Sequence, residues 1–227
     1  MVENRRTLSR RLLLRGAAVG AVIGGLAGAG AFPALAPAAP GGKTGKRSAN
    51  GWRVASDKDV RTLRVPGTDV SVALRGGDVA VVLVHVIRRF HYEIEALRHG
   101  EVVGFKAPRA LPARHESNHA SGTAVDIRAD WYPLGAAGGL FPHQHDVLRD
   151  ILAECAGTVR WGGDLTPVDE AHFHIDVPPG DARLHRVATK IRDWAEQPGR
   201  GAGVLIDPLA PARRTPALAL ERRQRRN

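Results

Sequence analysis

Two short stretches of this chain alternate strictly between apolar and polar side chains, and both place imidazole or carboxylate groups on the polar side. From Thr123 to Arg128, Val125 and Ile127 fall on one side, with Ala124, Asp126 and Arg128 on the other. From His172 to Val177, Phe173, Ile175 and Val177 make an apolar face, opposite His172, His174 and Asp176. A period of two is that of a half-buried strand. If the two strands are neighbours in one sheet, Asp126 and His172 project towards the same point. Gly122 lets the backbone turn between His119 and the first strand without a side-chain clash.

The residue types suit metal chemistry. A catalytic zinc takes three protein ligands from His, Asp or Glu and keeps a fourth position open for water. His119, Asp126 and His172 supply such a set, and Asp169, three residues before His172, is left over to serve as a base. His174 shares a face with His172 and is the rival for the third ligand position. His143 and His145 follow Pro142 and read as a solvated helix end rather than a second metal pair. Cys155 is the only cysteine, so no intrachain disulfide can form. It falls on the apolar face of Val147, Leu148, Ile151 and Leu152, as a packed core thiol would.

Ser117-Asn118-His119-Ala120-Ser121-Gly122-Thr123-Ala124-Val125-Asp126, followed by Asp169-Glu170-Ala171-His172, resembles the signature of the zinc D-alanyl-D-alanine carboxypeptidases and the related L-alanyl-D-glutamate endopeptidases. Those enzymes cut the peptide part of bacterial cell wall. Trp161-Gly162-Gly163-Asp164 is similar to a stretch that precedes the second part of that signature. The resemblance covers roughly residues 80 to 180. It implies Zn2+ held by His119, Asp126 and His172, with Asp169 as the catalytic base. Ser117 and His174 would then sit beside the ligands or face the substrate. The family carries an upstream substrate-binding arginine, often after an aromatic residue, and Arg109 in Pro108-Arg109 is the nearest candidate.

The net charge of +10 suggests nucleic acid until it is divided along the chain. Residues 1–36 hold five Arg and one Glu, and residues 210–227 hold six Arg and one Glu, which leaves the middle almost neutral. A folded core without a basic excess argues against nucleic-acid binding. Ser9-Arg10-Arg11-Leu12-Leu13-Leu14-Arg15 resembles a twin-arginine export signal, with a Gly- and Ala-rich apolar run from Gly16 to Phe32 and a small-residue cleavage site at Ala34-Leu35-Ala36. If uncleaved, residues 16–36 are just long enough to span a membrane.

The remaining organisation follows from composition and period. Residues 37–51 read as a flexible linker. Trp52-Arg53-Val54 and Val70 to Leu74 read as strands. A helix is predicted from about Asp78 to Leu97, with Leu83, Val86, Ile87, Phe90 and Ile94 as its buried stripe. Residues 104–118 read as loop, and a last helix spans about Ala182 to Ala195. Residues 198–227 lack a sustained apolar period and read as a disordered basic tail.

The chain is thus expected to form an α+β domain over residues 52–197, with a small antiparallel sheet carrying the metal and helices on the other face. Its expected function is that of a secreted, monomeric zinc metallopeptidase acting on peptidoglycan stem peptides, most like a D-Ala-D-Ala carboxypeptidase. The alternatives are endopeptidase cleavage after L-Ala and a non-catalytic zinc module that binds cell-wall peptide.

Overall fold

The computed structural model describes residues 47–108 and 113–226. The export-signal segment, most of the expected linker and Arg109 lie outside the described residues.

The described chain opens with strand β1 (Val60–Arg64), which turns back into β2 (Ser71–Arg75) as an antiparallel hairpin. Val72 and Leu74 of β2 are buried and lead into helix α1 (Asp78–Glu93). The helix begins after Gly76-Gly77 and buries Leu83, Val86, Ile87 and Phe90, as its helical spacing predicts. It ends about a turn earlier than expected. The amides of Ile94 and Glu95 both bond to Phe90 O, and His91 Nδ1 accepts the amide of Leu97, which turns the chain off the helix axis.

A second sheet follows. Strand β3 (Val102–Val103) precedes the short helix α2 (Ser117–Ala120) and strand β4 (Ala124–Ile127). Helix α3 (Pro142–Glu154) comes next, then strands β5 (Val159–Trp161) and β6 (His172–Ile175). The strand order is β3-β4-β6-β5, and every neighbouring pair is antiparallel. The two alternating stretches are therefore adjacent strands, with Val125 opposite Phe173 and Asp126 opposite His172. The apolar pair belongs to the main core, where Phe173 meets Phe90 of α1 edge-on at 6.4 Å. This is an α+β fold whose sheet has one face against helices and the other turned to the polar cluster described below.

Helix α3 starts at Pro142, with Gln144 accepting the amide of Phe141, and buries Leu148, Ile151 and Leu152. Cys155, at its end, is fully buried, and burial pushes its thiol up to about 12. Helix α4 (Ala182–Ala195) has the predicted bounds and is capped by Asp181, which accepts the amide of Arg183.

Three expectations need correction. Trp52-Arg53-Val54 is not a strand; only an isolated bridge joins Arg53 to Arg47. Residues 47–51, expected in a flexible linker, are tied to the domain: the Ala49 amide donates to Ser117 Oγ, and Asn50 Nδ2 donates to both Thr123 Oγ1 and Ile175 O. Helix α5 (Pro211–Gln224) occupies most of the tail expected to be disordered. It buries only Ala217, Leu220 and Gln224, too few for an apolar stripe. Its attachment to α3 is instead ionic: Arg213 reaches Asp150 at 2.6 Å and Glu154 at 3.0 Å. Pro211 at the first helical position starts it without losing a hydrogen bond.

Candidate metal centre

The site lies where α2, β4 and β6 meet. Gly122 has φ +68°, and a Cβ there would come within 2.8 Å of Arg75 N, so only glycine turns α2 into β4 at this closeness. The turn brings His119 of α2 beside Asp126 of β4. Strand pairing brings His172 of β6 opposite the same residue. Asp126 Oδ1 then lies 2.9 Å from His119 Nε2 and 2.9 Å from His172 Nδ1. All three side chains are buried.

Proton bookkeeping at these atoms points to a cation. His119 Nδ1 is 2.6 Å from Gly104 O, and a carbonyl can only accept, so Nδ1 carries the hydrogen. A neutral His119 therefore turns the lone pair of Nε2 towards a carboxylate oxygen. Burial pushes the His172 ring well below its ordinary range, towards its neutral form. Burial would raise the Asp126 carboxyl, but its contacts with His119 and His172 outweigh burial and hold it well below the usual carboxylate range. Lys106, ion-paired with Asp126, helps keep that carboxylate ionised, but it leaves the inward lone pair of His119 Nε2 unmet, and a metal ion between the three side chains would meet it without protonating either ring.

Glu116 completes a group with His119, Asp126 and His172 whose possible ligand atoms all lie within 4.8 Å of one another. A second such group contains His115, Glu116 and Asp169. Lys106 Nζ is ion-paired with Asp126 and stands 3.5 Å from Glu116 Oε2. Two buried carboxylates, Asp126 and Glu116, share this single lysine. Buried carboxylates need partners, and a further cation among these side chains would supply one. The donor set of imidazoles and carboxylates suits zinc.

The other expected residues fall at stated places. Asp169 is buried next to this cluster, its Oδ2 3.2 Å from His115 Nε2. Gly162 makes room for it, since a Cβ there would lie 2.2 Å from Asp169 O. Glu170 faces elsewhere and accepts the amides of Gly138 and Gly139 at 2.7 and 2.8 Å, anchoring the loop after Trp131. His174 is outside the metal-type cluster; its ring is 5.2 Å from that of His172 and its Nε2 is 3.7 Å from Asp176. Ser117 Oγ donates to Arg114 O and receives the amide of Ala49, so it braces the turn before α2. His143 stacks on Phe141, and His145 packs against Trp161, both away from the cluster.

Sequence reasoning missed Lys106, His115 and Glu116. Lys106 follows Phe105, an aromatic–basic pair that a search restricted to arginine passes over. His115 and Glu116 directly precede Ser117 and carried no spacing signal of their own. Beside the cluster is a cleft of about 320 Å³ whose lining includes Asn50, Arg114, His115, Arg160 and His174. His115, the partner of Asp169, lies in its wall, whereas His119, Asp126 and His172 do not line it.

A family model described as D-alanyl-D-alanine carboxypeptidase matches residues 112–175. That stretch runs from just before His115 to the end of β6 and contains His119, Asp126, Asp169 and His172. No curated protein and no solved structure gives a match.

Proposed function

We propose that this chain, whose residues 112–175 match the D-alanyl-D-alanine carboxypeptidase family model, is a member of that family and an exported zinc peptidase that hydrolyses peptide bonds in the stem peptides of peptidoglycan. Release of a terminal D-alanine is the favoured reaction. The observation that carries this reading is the convergence of two imidazoles on one Asp126 oxygen, with a buried base alongside.

His119, Asp126 and His172 would hold the ion. Zinc held there would lower the pKa of a bound water and polarise the scissile carbonyl. Gly104 O fixes the tautomer of His119, which keeps Nε2 available as a donor. Asp169 takes the proton from the attacking water on its carboxylate and returns it to the leaving amine. His115, bonded to Asp169 Oδ2, orients that carboxylate. Lys106 brings a cation to the same place and can accept charge that develops on the substrate oxygen. A protein that only bound cell-wall peptide would have no use for a base beside the ion.

The twin-arginine pattern at Arg10-Arg11 supports export, and that route carries proteins already folded with their metal. Digestion of purified muropeptides, with and without chelator, tests the reading. A fragment lighter by one alanine identifies a carboxypeptidase. Cleavage after L-Ala identifies the endopeptidase instead, and no chelator-sensitive product would end the peptidase reading.

A further inference from the structure

Glu116 has no part in the reaction just described, yet it is buried at 7% exposure beside the ion-binding side chains. It closes the 3-10 turn Arg114–Glu116 that leads into α2. Its Oε1 lies 4.0 Å from His119 Nε2 and 3.9 Å from His172 Nδ1, the two nitrogens that face Asp126. The only hydrogen bond to its carboxylate among the described residues is the long contact from Lys106 Nζ, 3.5 Å from Oε2, and that lysine is also paired with Asp126. A buried carboxylate so weakly satisfied is costly unless another cation meets it.

We propose that Glu116 is a fourth protein donor to the metal ion, giving a resting site of two imidazoles and two carboxylates. The inference rests on the zinc reading above and adds a residue to it. Four protein donors make a closed site, whereas hydrolysis needs an open position for water. Glu116 would therefore yield its place to water during turnover, or the ion would take a fifth donor, and Lys106 Nζ, 3.5 Å from Oε2, is in place to hold the freed carboxylate. The residue trades tighter metal retention against access of water.

Metal affinity and coordination test this directly, without reference to activity. Wild type, Glu116→Gln and His119→Ala are stripped, titrated with zinc against a chromophoric chelator, and separately loaded with cobalt(II) for visible absorption. Glu116→Gln is nearly isosteric, and its fold is checked by circular dichroism. The expected result is one ion per wild-type chain, affinity weaker in Glu116→Gln by more than the roughly ten- to hundredfold that loss of an outer-shell partner costs, and a changed cobalt spectrum. His119→Ala should bind far more weakly still. Unchanged affinity and spectrum in folded Glu116→Gln overturn the proposal while leaving the three-ligand site standing. Two ions per wild-type chain also overturn it, because Glu116 would then serve a second ion with His115 and Asp169. A wild-type chain that binds no ion overturns both this inference and the zinc reading.

Discussion

Asp126 and His172 stand directly opposite each other across β4 and β6, and their side chains meet with Oδ1 2.9 Å from Nδ1. The register of a sheet, set by the apolar faces of its strands, thus places two candidate ligands without help from any loop. A slip of one residue in either strand would turn its group to the helix side and part the two.

Removal of any one of these ligands should release the ion. His119→Ala, Asp126→Ala and His172→Ala are each expected to purify with little zinc and to lose activity, because each removes a donor from the centre of the site. Elemental analysis of the folded variants checks this. The wild-type protein should also melt at a lower temperature after chelation, since an ion bound only by the native state stabilises it. Full zinc occupancy with normal turnover in one variant would remove that residue from the set.

The base should separate cleanly from its neighbours. Asp169→Asn is expected to keep zinc while turnover falls by about two to four orders of magnitude. His115→Ala should give a smaller loss, because it removes only the group that orients Asp169. Glu170→Gln should act through the loop it anchors at Gly138 and Gly139, changing KM more than kcat. A larger loss in Glu170→Gln than in Asp169→Asn, measured with zinc content held equal, would reverse the assignment.

These two sets of residues show what a sequence can and cannot disclose. That Asp126 and His172 lie on the polar sides of two strands was legible from alternation, and His119 and Asp169 were singled out by their spacing from those two; the pairing of β4 with β6, on which their meeting depends, comes from the structure. The bounds of α4 were legible from its apolar period. Glu116, His115 and Lys106 were not, because what makes them part of the site is distance in space, and neither period nor spacing marks them. Helix α5 was missed for a related reason. Its hold on the domain comes from Arg213, paired with Asp150 of α3, and from Gln224 Nε2 donating to Val159 O of β5, contacts across some sixty residues that no local period encodes.

Acid should loosen the α5 attachment. Burial would raise the Glu154 carboxyl, but its hydrogen bond with His85 and the charge of Arg89 hold it well below its ordinary value of 4.5. A depressed carboxyl favours the native state above the unfolded value, and that advantage is lost as pH falls below about 4.5. Thermal melts should therefore drop in temperature below that pH, and Glu154→Gln should flatten the dependence while lowering stability at neutral pH. Removing Arg89, which is fully buried and paired with Glu93, Asp150 and Glu154, should cost about 3–5 kcal/mol, because it strands buried carboxylates. A melting curve for Glu154→Gln with the wild-type pH dependence would contradict this account.

Export should depend on the paired arginines. Replacing Arg10-Arg11 by Lys-Lys is expected to leave an intact precursor inside the cell, detected by immunoblot of cell fractions. Unchanged delivery of a reporter fused after residue 50 would refute the twin-arginine reading.

Metal-dependent hydrolysis at the Asp126–His172 site is open to mass spectrometry of muropeptide digests. Zinc-loaded protein should shorten the stem peptide, chelator should abolish the product, restored zinc should recover it, and Asp169→Asn with zinc bound should yield almost none. A product that persists after complete removal of metal, or that Asp169→Asn makes at the wild-type rate, would contradict the account.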